Sequence, residues 1–75
     1  MNDIIDLTKS GKKLLDAENY NDALSFFDQA LLQDPTNPDL WNYKGIALRS
    51  LGRYAEALQC YNKSLEIEPR DKESS

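Results

Sequence analysis

Few side chains in this chain could do covalent or metal chemistry. There is no histidine, so no imidazole base, no Ser-His-Asp or Cys-His arrangement and no His-ligated metal can be built. A single cysteine, Cys60, excludes an internal disulfide, a zinc cluster of cysteines and a CxxC redox pair. It reads as a packed, inert thiol with no cation at i±4, and its unpaired state fits a reducing, cytoplasmic setting. Asp3 and Asp6 are expected on an exposed helix end, outside the kind of cleft in which paired carboxylates do acid–base work. The acidic run Glu66, Glu68, Asp71, Glu73 lacks the spacing and central glycine of a calcium loop, so no metal or other cofactor is expected. Asn62-Lys63-Ser64 fits a glycosylation pattern but falls inside an expected helix. Lys9, Lys12 and Lys13 could meet a carboxylate, although a solvated helix face is the commoner fate of such a cluster. The chemistry open to the chain is therefore recognition rather than catalysis, and no enzyme activity is expected.

What must hold these residues is small. The 75 residues suffice for one domain, and a chain this short hides only about 60% of its unfolded surface. Nine basic against 13 acidic side chains give a net charge of −4, which disfavours nucleic acid as a partner because cations are needed to displace its counterions. No apolar run exceeds three residues (Ala30-Leu31-Leu32 and Ile46-Ala47-Leu48), so no membrane-spanning segment is expected. Met1-Asn2-Asp3 is acidic where a secretory signal would be basic.

Residues 4–37 superimpose on 38–71 at an offset of 34. Seven pairs are identical: Gly11/Gly45, Leu14/Leu48, Tyr20/Tyr54, Ala23/Ala57, Leu24/Leu58, Leu31/Leu65 and Pro35/Pro69. Leu7/Trp41, Phe27/Tyr61 and Ala30/Ser64 keep their bulk or smallness. Inside each unit the period is helical. Ala23, Leu24, Phe27, Ala30 and Leu31 fall at i, i+1, i+4, i+7 and i+8, one face of an α-helix, and Ala57, Leu58, Tyr61, Ser64 and Leu65 repeat the pattern. Pro35, Pro38, Gly52 and Pro69 separate the segments. The spacing predicts four helices, roughly 3–17, 21–33, 38–51 and 55–67, in an all-α domain spanning 4–71 with polar ends at 1–3 and 72–75. Gly11 and Gly45 are expected to let the first helix of each pair approach the second at Ala23 and Ala57. Glu18 stands where the second unit has Gly52, so the first turn should be the less ideal.

The run Trp41, Gly45, Leu48, Tyr54, Ala57, Tyr61, Pro69 resembles the tetratricopeptide repeat, a 34-residue helix-turn-helix unit. The resemblance covers nearly the whole chain, with Leu7 in place of the first Trp, and Ser10 and Lys44 in place of a leucine. It implies two helix-turn-helix hairpins, four antiparallel helices stacked as a short right-handed solenoid, with a concave groove lined by the first helix of each pair. The function implied is protein–protein interaction: a peptide or partner helix held in that groove. Unit one would present Ile5, Thr8, Lys9, Lys12 and Leu15, and unit two Asp39, Asn42, Tyr43, Ile46 and Arg49. Lys9, Lys12, Asn42, Tyr43, Ile46 and Arg49 are the candidate ligand contacts, suited to a peptide carrying a carboxylate beside an apolar anchor. Co-chaperone members of the family grip a chaperone's C-terminal carboxylate with Lys and Asn on the first helices. Those places here hold Thr8, Lys12 and Tyr43, so that clamp is not expected.

The two ends of the stack are expected to differ. Leu40, Ala47 and Leu51 should face the preceding unit, whereas their counterparts Asp6, Lys13 and Ala17 have no unit to face. The last helix keeps Leu58, Tyr61, Leu65 and Ile67 with no third unit over them. Three readings compete: a piece of a longer repeat scaffold, a homo-oligomer assembled through this face, or simple tolerance of the exposure; against all three stands the plainer reading that Leu58, Tyr61 and Leu65 are mostly consumed inside their own hairpin.

Overall fold

A computed structural model describes residues 3–68, and these form four helices: α1 (Ile4–Asp16), α2 (Tyr20–Gln33), α3 (Pro38–Ser50) and α4 (Tyr54–Ile67). Each boundary falls within one residue of the sequence expectation. Pro69, expected to end the last helix, and the polar tail beyond it lie outside the described residues. Every α1 and α3 start is chemically marked. Asp3 caps α1 by accepting the Ile5 N–H at 3.3 Å. Asn37 caps α3, its Oδ1 accepting from Asp39 N–H at 3.0 Å and Leu40 N–H at 3.4 Å, while Pro38 occupies the first helical position.

The two hairpin turns are built alike. After α1, Glu18 N–H donates to Leu15 O at 3.0 Å and Asn19 N–H to Leu14 O at 2.8 Å. After α3, Gly52 N–H donates to Arg49 O at 3.0 Å and Arg53 N–H to Leu48 O at 2.9 Å. This is the Schellman pattern, which needs a left-handed residue just past the helix. Gly52 supplies it at φ +83°, and Glu18 is forced into it at φ +65°.

Packing runs α1 on α2, α2 on α3 and α3 on α4, with α1 and α3 meeting only lightly and no close backbone approach between α2 and α4. The first core, Leu7, Ala23, Phe27, Ala30, Leu31 and Leu40, spans three helices, so unit one is completed by unit two. Phe27 and Ala30 are fully buried, and the Phe27 ring stacks on Tyr43 at 5.4 Å between centroids. The second core, Leu48, Ala57 and Cys60, is smaller and borrows Leu24, Trp41 and Tyr61 at its edge. Trp41 also ties the inter-unit link, its Nε1–H donating to Pro35 O at 2.8 Å.

The nearest neighbours of Gly11 and Gly45 are aromatic rings. A Cβ on Gly11 would lie 2.5 Å from Phe27 Cε1, and one on Gly45 would lie 2.7 Å from Tyr61 Cε1. The space each glycine vacates is filled by an aromatic ring rather than by the Ala23 or Ala57 backbone. The repeat conserves a ring-against-backbone joint, which is why glycine and aromatic recur together.

Candidate functional site

The α1 residues that face away from α2 follow from the helix period. Leu7 and Gly11 are buried against the hairpin partner, which leaves Ile5, Lys9 and Lys12 outward. Ile4, Ile5, Thr8, Lys9 and Lys12 line a cavity of about 250 Å³, closed on its other side by Asp34 and Asn37 of the inter-unit link. The lining carries two cations and one carboxylate, and Asp34 Oδ2 accepts from Asn37 Nδ2 at 3.1 Å. Lys12 reaches across the hairpin junction, its Nζ 5.4 Å from the centre of the Tyr43 ring. That ring is held flat by Phe27 beneath it. The Thr8 hydroxyl donates to Ile4 O at 2.8 Å, its donor hydrogen spent inside the helix.

Of the candidate ligand contacts, Lys9 and Lys12 line this cavity, and Lys12 also reaches the Tyr43 ring, which lies outside the lining. Asn42, Ile46 and Arg49 share a stripe of α3 at i, i+4 and i+7, the first two half-buried and Arg49 exposed, but they do not line this cavity. Leu40 is buried in the core of unit one, Ala47 is buried and Leu51 half-buried, while Asp6, Lys13 and Ala17 are exposed.

A second concavity was not legible in the sequence. Because α2 and α4 stand apart, Trp41 and Lys44 of α3 floor two adjoining clefts of about 720 and 420 Å³. Leu24, Leu31, Leu32 and Pro35 wall the first, and Leu48, Cys60 and Lys63 the second. Lys44 is committed: its Nζ lies 2.8 Å from Asp28 and 5.6 Å from the Trp41 ring centre. The one signal was the lysine itself, at a position where unit one has Ser10 and the repeat pattern has leucine. Cys60 is buried beside it, and loss of solvent pushes its thiol pKa up, opposed by Lys44 and reinforced by Asp28 and Glu56. The nearby cation comes from another helix, so the i±4 neighbours of Cys60 could not reveal it.

On α4, Leu58 is 59% exposed and Leu65 51%, and Tyr61 is half-buried. Tyr54, 68% exposed, extends the same row, whereas Ile67 is half-buried and falls off it by helical spacing. No group of three or more metal-ligating side chains occurs among the described residues, and no described helix is long and apolar enough to cross a membrane.

Comparison with known proteins agrees with this fold. The family model for the tetratricopeptide repeat matches residues 38–71, the second hairpin. The uncharacterized protein MJ0572 of Methanocaldococcus jannaschii is 37% identical over 60 residues, covering 80% of this chain and 70% of that one. The Hsp70-Hsp90 organising protein of Plasmodium falciparum is 34% identical over 61 residues, 81% of this chain but 24% of that protein. Superkiller protein 3 of Schizosaccharomyces pombe is 33% identical over 64 residues, of which this chain spans only 5% of the length.

Proposed function

The chain belongs to the tetratricopeptide repeat family, and we propose that it is a non-catalytic interaction module holding a short acidic peptide along α1 and α3. The observation that carries this reading is the Lys12–Tyr43 contact, 5.4 Å from ammonium to ring centre, at the edge of the cavity lined by Ile5 and Lys9. It puts two cations, a rigid aromatic face and an aliphatic floor on one surface shared by both hairpins. A peptide carboxylate would meet Lys9 and Lys12, and an apolar side chain would seat against Ile5. Asn42, Ile46 and Arg49 would carry the peptide further along α3.

The larger cleft over Trp41 is less suited to an anion, because the Lys44 charge is already matched by Asp28. The relatives named as chaperone organisers favour a protein ligand. The grip here would differ from a carboxylate clamp, since Thr8 is hydrogen-bonded into its own helix and Tyr43 is stacked on Phe27. The buried free thiol of Cys60 supports a reducing, cytoplasmic setting.

Fluorescence anisotropy tests the reading with a dye-labelled peptide alternating Asp or Glu with Leu or Phe, against its Asn/Gln counterpart. The acidic peptide is expected to bind more tightly and to weaken with salt. The double substitution Lys9→Glu, Lys12→Glu should weaken it at least about tenfold, the cost of two reversed contacts of about 1 kcal/mol each. Equal binding of both peptides, or binding untouched by the double substitution, would refute it.

A further inference from the structure

The cavity between α1 and the inter-unit link is not uniformly basic. Lys9 and Lys12 enter its lining from α1, and the Asp34 carboxylate enters it from the link. Asp34 is the C-cap of α2, beside the last carbonyls of that helix, whose partial negative charge adds to its own. The last turn of α2 has no basic side chain to answer it. The first N–H groups of α3 would favour an anion nearby, but Asn37 Oδ1 already accepts from two of them, on Asp39 and Leu40. Asn37 Nδ2 donates to Asp34 Oδ2, so that amide is spent at both ends. The other carboxylate oxygen of Asp34 has no partner among the described residues, and neither Lys9 nor Lys12 comes within ion-pairing distance of it.

We propose that Asp34 sets the specificity of this cavity for a peptide that carries an arginine beside its acidic residue, in the extended order acid-x-Arg. The inference rests on the reading of α1 and α3 as a peptide site. Unmatched charges of both signs in one cavity favour a ligand whose own charges are arranged in complement. The acidic side chain answers Lys9 and Lys12. The guanidinium answers Asp34, presenting its N–H donors in the planar fork that a carboxylate accepts. A wholly acidic ligand gains the first contact and loses at the second, because it brings another carboxylate toward Asp34 and the carbonyl end of α2.

The size of the cavity agrees with that spacing. An extended peptide sets the side chains of residues i and i+2 on one face, about 7 Å apart. A space of about 250 Å³ has room for two such side-chain ends and not for a longer run of peptide. Ile4 and Ile5 line the same space and cover the aliphatic stems behind the two charges.

Fluorescence anisotropy of the full chain tests this with two dye-labelled peptides that share a Leu-Glu-Ser-Arg core, one of them carrying citrulline, the uncharged isostere, in place of arginine. The arginine peptide is expected to bind about fivefold more tightly, the ratio given by one exposed ion pair at the top of its usual range. This comparison needs no substitution in the protein. Asp34→Asn should erase the difference, and an asparagine there can still accept from Asn37, so the link keeps its hydrogen bond. Lys9→Gln together with Lys12→Gln should weaken both peptides and leave the preference for arginine in place. Lys13→Gln, outside the lining, should alter neither. Equal affinity of the two peptides, in a complex that still depends on Lys9 and Lys12, would overturn the role of Asp34 and leave the peptide site standing. So would a preference that survives Asp34→Asn. Binding indifferent to both lysines, or no binding of either peptide, would overturn the peptide site and this inference with it.

Discussion

Glu18 and Gly52 hold equivalent places in the two hairpin turns, and the difference between them can be measured as stability. Both close a Schellman turn and both sit at positive φ, +65° and +83°. A left-handed conformation costs a non-glycine residue roughly 1–2 kcal/mol, whereas glycine adopts it freely but loses more chain entropy, roughly 0.5–1 kcal/mol, on folding. Replacing Glu18 by Gly should therefore stabilise the domain by about 0.5–1 kcal/mol. For a domain of this size that raises the melting temperature by about 3–6 °C. The reverse substitution, Gly52→Ala, should lower it by a similar amount. It is a clean perturbation, since a Cβ there meets nothing within 4 Å and the whole penalty is backbone conformation. Thermal unfolding followed by circular dichroism measures both, with Glu18→Gln as the control for charge. Glu18→Gln should gain little, because it keeps the strained backbone. If Glu18→Gln stabilises as much as Glu18→Gly, relief of acidic repulsion rather than φ is responsible and the reasoning fails. It fails equally if Gly52→Ala leaves the melt unmoved.

The ring-against-glycine joints should differ in strength. Gly11→Ala is expected to cost about 2–3 kcal/mol in urea unfolding, because Phe27 is enclosed between Gly11 and Tyr43, whereas Gly45→Ala should cost about 1 kcal/mol since half-buried Tyr61 can swing outward. Equal losses at the two sites would show that Tyr61 is as confined as Phe27. Burial holds the Cys60 thiol above its ordinary value of 9.0, so its neutral form stabilises the fold fully below that pH, and the contribution is lost as pH rises through the elevated pKa. The stability gap between the native chain and Cys60→Ser should be flat to about pH 9 and shrink above it, as read from urea midpoints. A gap that widens with alkalinity would mean the thiolate is favoured in the fold.

Why some of this was legible in the sequence and some not follows from where each contact lies. The helix bounds depend on local signals: Asp3 and Asn37 as caps, Pro38 at a first helical position, Gly52 at a turn. Each acts within a few residues, and each boundary emerged to within one residue. Glu18 could be flagged as a poor turn residue because the repeat supplied Gly52 for comparison. The ring that fills the space over each glycine was not read from the sequence, because the helical period shows which residues face a partner helix, not which of them interlock. Lys12 over Tyr43 and Lys44 on Asp28 both cross between hairpins. Their meeting depends on how one hairpin is set against the next, a rigid-body relation that no single helix encodes.

That relation also explains why recognition is expected at the junction. Unit one has no finished core of its own: Leu40 from unit two closes it, and Phe27 is pinned by Tyr43. The Tyr43 ring therefore has a core face and a solvent face, and Lys12 takes the second. Because the ring's position is fixed by core packing, a ligand that docks beside it need not order it, which removes part of the entropy cost of binding. Arg49, exposed on α3, lacks such support and would have to be ordered by the ligand itself. Substitution of Tyr43 should accordingly damage stability and peptide affinity together, while substitution of Arg49 touches only affinity, and by less.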